Sequence, residues 1–338
     1  MRKPLYLSPT SIAKWRADRK EFFFTYLAEN RPPRLEQTKP MSVGSSFDAY
    51  VKAYLMRRLF GGEDQFESLF EQQVDSHNQE WAREAGLQAF ILYKESGALA
   101  DLCLELDAAS TEPRFEFKVQ GNVNHESLVD GVPFLGRPDL YFTIVNPDGS
   151  VSHVIIDWKV NGWCAKRAPS PVKGYLNCRT WKHGLDKKYV QNQCAADDVI
   201  NLALGTWSNK AHPQATAMMS GGLMIDVGHK MEDLNLGWAT QETIYAWVLG
   251  VPVGEEFICG IDQLVGRNRV SSIRNRVSAT FQTNLLDEAA NIWTRIKLGA
   301  IFDEDNAEKI KMLSEYQEAY ERDTNPHKDW LESILRKQ

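Results

Sequence analysis

The stretch "GRPDLYFTIVNPDGSVSHVIIDWKV", residues 136–160, decides how the chain is read. Two apolar, β-branched and aromatic runs flank "NPDGS", and a Pro-Asp-Gly turn between strand-like runs predicts an antiparallel pair. Into these runs the chain sets Asp139, Asp157 and Lys159. Successive strand side chains point to opposite faces, so Ile156 and Trp158 share one face while Asp157 and Lys159 share the other. If "GRPDLYF" pairs with "VIIDWK", Asp139 reaches that second face as well. Two carboxylates then meet an ammonium at one edge of a sheet.

Outward from this stretch, "RFEFKVQGNV" adds a further strand-like run to the meander. Upstream, "LSPTSIAKWRADRKEFFFTYL" predicts a helix with Ser8 or Thr10 as its cap and Ile12, Trp15, Phe22, Phe23 and Tyr26 on its apolar face. "RPPRLEQTKP" reads as a loop. "SVGSSFDAYVKAYLMRRLF" predicts a second helix, with Phe47, Val51 and Tyr54 or Leu55 at helical spacing, and residues 63–105 read as helical. Downstream, "DKKYVQNQCAADDVINLAL" predicts a helix, and "ATAMMSGGLMIDVG" and "QETIYAWVLGV" predict two more strands. From about residue 278 the chain reads as mostly helical. The expected fold class is α/β, a central mixed sheet with an antiparallel strand meander flanked by helices. Three regions are expected: a helical N-terminal region over 1–110 packing on the core, a core over 111–265, and a helical C-terminal region over 266–338.

At 338 residues, 43% hydrophobic and 25% charged, the chain has ample material for a full core. A net charge of -6 excludes a protein that coats nucleic acid through bulk positive charge, so any such binding has to come from a local patch. "GRNRVSSIRNRV" offers Arg267, Arg269, Arg274 and Arg276; "WKHGLDKKY" offers Lys182, Lys187 and Lys188, with Trp163, Tyr175 and Trp181 nearby. Basic groups hold phosphates and aromatic rings stack bases, although most charge runs are simply solvated faces. Cys103, Cys164, Cys178, Cys194 and Cys259 lack CxxC spacing and are expected as free thiols. There is no signal-peptide pattern and no run near the ~18 apolar residues of a membrane span, so a cytoplasmic protein without a membrane partner is expected. No Gly-rich loop carries a Lys-Ser/Thr partner, so no ATP site is expected.

A hard divalent cation wants oxygen ligands, and Mg²⁺ keeps several waters while taking one or two carboxylates. Asp139 and Asp157, with the carbonyl of Trp158 between them, form a candidate ligand set. A cation there would make water easier to deprotonate and would stabilise charge growing on a phosphate. Lys159 would orient the attacking water or neutralise that charge. These residue types suit phosphodiester hydrolysis. An Asp-x-Lys triplet alone arises by chance about once in a chain of this length, and it usually marks a solvated strand edge carrying an ion pair. The combination argues for a site: Ile-Ile before the triplet, "GRPD" one hairpin upstream, and a helix with Gln191 or Gln193 downstream.

In that order, "GRPDLYF", "VIIDWK" and "YVQNQ" resemble the PD-(D/E)XK nuclease superfamily, close to its RecB-type branch of CRISPR-associated and phage recombination exonucleases. That branch carries a Gly-x-x-Asp strand, an apolar strand ending Asp/Glu-x-Lys, and a helix with a Gln followed by a Tyr. "LSPTSIAKW" and "MSVGSSFDAY" resemble its Ser-x-Ser helix and the Gly-x-x-x-His helix that follows. The resemblance spans residues 5–205 or so. It implies a restriction-endonuclease-like core and a deoxyribonuclease dependent on Mg²⁺ or Mn²⁺, more an exonuclease than an endonuclease, serving phage-type recombination, replication or repair. It implies DNA as partner, a single-strand-annealing or single-strand-binding protein as candidate companion, an oligomer as a candidate state, and the host cytoplasm as the place of action if the chain is phage-encoded. The rival on the same fold is a catalytically silent DNA-binding or recombination/packaging subunit; the intact Asp139, Asp157 and Lys159 argue against silence.

Carried over residue by residue, the resemblance makes Asp139 and Asp157 metal ligands, Lys159 the catalytic lysine and Gln191 the glutamine that positions water or phosphate, with Gln193 as the alternative. Neither glutamine has the expected Tyr: Ala195 and Asp197 stand there. Glu116 matches an acid on the first strand, or is a strand-face acid near Lys118. Asp48 stands where the branch has a His that adds a metal ligand, and a carboxylate there would shift preference from Mn²⁺ toward Mg²⁺; the alternative is a polar residue on an amphipathic helix. Asp48 lies at the margin of the buried stripe, where an acid needs a counter-charge that a bound cation would supply. Gly44, one turn earlier, would let the helix approach the sheet. Some relatives carry an iron–sulfur cluster on four cysteines; the spacing here does not fit one.

Overall fold

The computed structural model describes residues 3–29, 36–165, 217–220, 223–226, 230–267 and 269–302. Helix α1 (Pro9–Ala17) starts at Ser8, whose hydroxyl accepts the Ser11 backbone N–H while the Ser11 hydroxyl accepts that of Ser8. Asp18 caps α2 (Arg19–Phe22), which runs into a π-turn at Phe23–Leu27. There follow α3 (Lys39–Phe60), α4 (Phe66–Gln73), α5 (Gln79–Glu95) and α6 (Ala98–Asp107). Then come β1 (Arg114–Phe115), β2 (Val119–His125), β3 (Leu128–Gly136), β4 (Leu140–Val145), β5 (Val151–Asn161), β6 (Ala217–Ser220) and β7 (Leu223–Asp226). The described chain closes with α7 (Met231–Leu234), α8 (Leu236–Val248), β8 (Ile258–Val265), β9 (Arg269–Arg276) and α9 (Ala279–Leu298). No helix of the described residues is long and apolar enough to cross a membrane.

The chain forms two compact units. The first comprises Met1–Thr38, Asn122–Phe134 and Leu286–Gln338; the second comprises Lys39–Gly121 and Leu135–Leu285. In the first, Leu7 bonds to Pro133 at 2.8 Å along the β3 segment, and Arg16 pairs with Glu288 at 2.8 Å. The second holds a five-stranded sheet in the order β1-β4-β5-β8-β9. Its pairs are antiparallel except β5 with β8, which run parallel. The sheet is therefore mixed, and "NPDGS" closes the β4–β5 hairpin through an Asn146 N–H to Ser150 carbonyl bond of 2.8 Å, with Gly149 at φ +84°. Glycine is suited to that left-handed position.

Helices cover both faces. Phe47, Val51 and Leu55 of α3, Tyr93 of α5 and Leu102 of α6 share one core with Phe142, Ile156, Trp158 and Leu264. Met231 of α7 and Ala239, Tyr245 and Ala246 of α8 share another with Ile155, Cys259 and Ile261. Every residue of β8 is buried, as expected for a strand covered on both sides. On α3 the stripe runs through Leu55, not Tyr54, which is exposed.

The structure corrects several of the sequence expectations. "GRPDLYFTIV" is not one strand: Gly136 ends β3, which pairs with β2 in a separate two-stranded sheet, and the chain breaks at residues 137–139 before β4 joins the main sheet. Pro138 has no N–H to continue a ladder. "QETIYAWVLGV" is not a strand but lies mainly in α8. Its β-branched and aromatic residues are there because the helix is buried, and the overlooked signals were its ends. Asn235 accepts the Trp238 N–H at 3.0 Å as N-cap, and Gly250 at φ +98° follows the last turn. Gly44 is not a close-approach position, since a Cβ there would meet nothing within 4 Å. The tight contact of α3 is with α5, where a Cβ on Gly86 would lie 2.1 Å from the Ser46 hydroxyl.

Arg274, expected to hold phosphate, is one of the most deeply buried side chains. It donates to Asp262 of β8 at 2.8 Å and to Glu105 of α6 at 3.0 Å, and the Tyr93 hydroxyl of α5 donates to Asp262 at 2.5 Å. Gly260 makes room: a Cβ there would come within 3.1 Å of the Arg274 side chain. This network ties α5 and α6 to the sheet. Removing one partner of a buried ion network leaves the others unpaired. Arg274→Ala is therefore expected to lose about 3–5 kcal/mol of unfolding free energy in urea titrations, whereas Arg276→Ala, at a partly exposed position, changes it by less than about 1 kcal/mol.

Candidate active site

The site grows out of the β4–β5 register. Leu140 faces Ile156, so Asp139, just before β4, falls beside Asp157. On β5, Asp157 and Lys159 point to the α8 side of the sheet, opposite Ile156 and Trp158, as alternation requires. Asp157 and Lys159 form an ion pair. Gln241 on α8 bridges them: its Nε2 donates to Asp157 Oδ1 at 2.7 Å and its Oε1 accepts from Lys159 Nζ at 3.1 Å. Asp139 Oδ2 accepts the backbone N–H of Trp158 at 3.1 Å. The next residue of α8, Glu242, is fully buried, and among the described residues neither of its carboxyl oxygens has a hydrogen-bond partner.

A second group of acids meets Asp139 from α3. Lys52, one turn after Asp48, donates to Asp48 Oδ2 at 2.5 Å and to Glu116 Oε2 at 2.8 Å, and its ammonium lies 3.8 Å from Asp139 Oδ1. Glu116 also accepts from Gln73 of α4 at 2.7 Å and lies 3.6 Å from Arg137. Its φ of +30° is the one positive value among described non-glycine residues, a conformation that persists only where surroundings enforce it. Here the Glu116 N–H is held by the Asp139 carbonyl at 3.0 Å. Asp139 is thus the meeting point of two clusters.

Burial pushes the Asp157 carboxyl up to about 7, against the pull of Lys159 and with repulsion from Asp139 added. Burial likewise lifts Asp48 to about 7, opposed by Lys52 and reinforced by Asp139 and Glu116. Burial lifts Glu242 well above the usual carboxylate range, and Asp157 adds to it. Lys159 is lowered by burial, but Asp157 and Asp139 outweigh that and leave it above its ordinary value.

The structure brings together Asp48, Glu116, Asp139, Asp157 and Lys159. Trp158 joins through its backbone, its ring being part of the core. Gln191 and Gln193 lie outside the described residues, as do Lys182, Lys187 and Lys188. The arginines of "GRNRVSSIRNRV" do not form one patch. Val265 registers with Arg269 and Ile258 with Arg276, so those two sit at opposite ends of β9, roughly 23 Å apart at the rise of a strand. Arg274 is buried between α6 and the sheet. Arg276 pairs with Glu256 at 3.4 Å. Arg267 is exposed, donates to the Trp163 carbonyl at 3.1 Å, and lies just past the end of β8 where Gly266 bonds Asn161 of β5. Sequence reasoning missed Lys52, Gln241, Glu242 and Tyr245. The last three were hidden by reading α8 as a strand; the spacing of Asp48 and Lys52, i and i+4 on a helix, was a legible signal for an ion pair.

Among the described residues, no group of three or more His, Cys, Asp or Glu side chains is set as a ready ligand shell for a metal ion. The adjacent Asp139 and Asp157 fit a hard cation that takes one or two carboxylates and keeps its waters. Asp48 reaches the cluster, but its counter-charge is the ammonium of Lys52.

No family model matches the chain, and no curated protein matches it. Among the solved structures distantly similar to the chain are the following two. One, from Eubacterium rectale, is described as a "Putative exonuclease"; it is 14% identical over 87% of this chain and 82% of its own, with a TM-score of 0.39. The other, SSO0001, is 11% identical over 84% of this chain and 86% of its own, with a TM-score of 0.23. At these TM-scores neither likeness bears on what the site does.

Glu242 supplies a pH test. Its raised value means that the folded chain holds a proton which the unfolded chain releases above about pH 4.3. Its contribution to stability is therefore full at low pH and lost as pH rises. Urea unfolding between about pH 5 and 8 should show a shallower decline for Glu242→Gln than for the parent chain. Equal slopes would mean that Glu242 holds no such proton.

Proposed function

We propose that the chain is a metal-dependent deoxyribonuclease of the PD-(D/E)XK type with a restriction-endonuclease-like core, and an exonuclease of phage-type recombination, replication or repair. The observation that carries the reading is the ion pair between buried Asp157 and half-buried Lys159, locked by Gln241, with Asp139 beside it. Mg²⁺, or Mn²⁺, held by Asp139 and Asp157 would supply a Lewis acid and a readily deprotonated water.

The chain's own groups have the following parts. The Trp158 N–H fixes the rotation of the Asp139 carboxylate. Gln241 fixes Asp157 and Lys159 together, so neither is free to swing away. Lys159 stays charged because of its acidic neighbours; with three donors on its ammonium, it can orient a nucleophilic water and neutralise charge developing on a phosphate oxygen. Gln241 followed four residues later by Tyr245 has the Gln-then-Tyr spacing that Gln191 and Gln193 lack, which makes Gln241 the better candidate for the family's glutamine. Arg267 over the Trp163 ring, 5.7 Å from its centroid, lies beyond the end of β5 that carries Lys159 and suits a DNA backbone passing there.

A second reading, a silent DNA-binding or recombination/packaging subunit, is favoured by the absence of a three-acid ligand shell among the described residues. Incubating the purified chain with linear and circular duplex DNA, with and without Mg²⁺, separates the two. Mg²⁺-dependent loss of linear DNA only is expected. Cleavage of circles would make it an endonuclease, and DNA binding without cleavage, with Mg²⁺ or with Mn²⁺ in its place, would favour the silent subunit. Lys159→Ala and Gln241→Ala should each lower the cleavage rate about 100-fold or more with little change in the far-UV spectrum, while Gln191→Ala and Gln193→Ala stay within a few-fold. Parent-like rates for Lys159→Ala would remove the lysine from the chemistry.

A further inference from the structure

Lys52 is the least expected member of the cluster. Its side chain is 1% exposed. A buried ammonium without partners is strongly disfavoured, and this one is surrounded by carboxylate: Asp48 at 2.5 Å, Glu116 at 2.8 Å and Asp139 at 3.8 Å. It also lies 6.0 Å from the centroid of the Trp158 ring, a face that attracts cations. The oxygens of Asp48 and Asp139 that face Lys52 cannot be farther apart than the sum of their distances to it, which is within reach of a single hydrated divalent ion. Glu116 is held toward the same point by Gln73 and by a strained backbone. The remaining Asp48 oxygen, Oδ1, is buried and has no hydrogen-bond partner among the described residues. These three carboxylates are not set as a ready ligand shell, because the cation that they surround is the chain's own ammonium.

We infer that Lys52 is a resident cation that stands in for a second divalent ion on the Asp48–Glu116 side of Asp139, so that the chain takes up one metal ion, on the Asp157 side. The inference deepens the nuclease reading and rests on it for the ion at Asp139 and Asp157. Lys52 is then a specificity-determining residue. It sets how many metal ions the chain takes, and it keeps Asp139 oriented between the two clusters whether or not metal is present.

The test counts Mn²⁺ equivalents by electron paramagnetic resonance and calorimetry, on the full chain freed of metal. The parent is expected to bind one. Lys52→Met, which keeps the bulk of the side chain and loses its charge, is expected to bind one more than the parent, and Mn²⁺ should raise its Tm by more than it raises the parent's. Because three acids are left facing one another in that variant, Lys52→Met with Glu116→Gln serves beside it. It removes one charge of each sign and should still gain an equivalent, more weakly. Lys52→Arg should keep the parent's count. Variants that bind the parent's number with the parent's affinity overturn the inference and reduce Lys52 to a structural ion pair. So does a parent that binds two, and so does failure of both variants to fold in millimolar Mn²⁺. The parent's count judges the nuclease reading separately: none in the parent and one in the variant would refute the metal site at Asp139 and Asp157 while upholding the role of Lys52.

Discussion

Neutralising acids that the fold takes out of water is the constraint around which this site is arranged. Asp48, Glu116, Asp139, Asp157 and Glu242 converge where α3, the β4–β5 hairpin and α8 meet. Their mutual repulsion in a poorly solvated place would be several kcal/mol if all were ionised and unpaired. The fold answers with two lysines, one on each side. Lys52 takes Asp48 and Glu116, Lys159 takes Asp157, and Asp139 is within the field of both. What remains unbalanced is expressed as raised carboxyl values and as a Glu242 whose oxygens have no partner among the described residues. Strain of this kind is unfavourable for stability and is what a site that manages a proton or a cation requires.

The platform beneath the site is stiff for reasons independent of it. β8 is buried along its whole length, and the Arg274 network pins α5 and α6 to β8 and β9 through four charged or polar side chains. A side chain on Gly260 would collide with Ile156 and press on the arginine that lies beside it. A site set on strands that cannot shift holds its geometry better than one on loops. Two clusters of buried charge therefore lie on neighbouring strands of one sheet. Asp157 and Asp262 are both deeply buried acids on adjacent strands. Asp262 is satisfied by arginine and tyrosine, while Asp157 relies on one lysine and one glutamine.

The comparison of sequence with structure turns on particular elements. "NPDGS" predicted its hairpin because turn chemistry is local, and Asp157 and Lys159 fell on one face because alternation is a property of any strand. α8 was misread because β-branched and aromatic residues are favoured both in strands and in a helix buried against a sheet; its cap residues were the better guide. Arg274 was misread because charge in a sequence carries no sign of burial, and a solvated arginine and a buried one look alike until Glu105, from far up the chain, is seen beside it.

By itself the sequence determined the α/β class, the hairpin, the face shared by Asp157 and Lys159, and a capped helix start at Ser8 or Thr10, of which the structure takes Ser8. All of these follow from backbone geometry and neighbours within a few residues. Only the tertiary structure decided that β5 runs parallel to β8, that Gln241 closes on Asp157 and Lys159, and that Lys52 faces three acids drawn from α3, the end of β1 and the start of β4. The reason is physical: the free energy of a buried charge depends on everything within a few ångströms of it, and those neighbours are set by packing between segments that are remote in the chain.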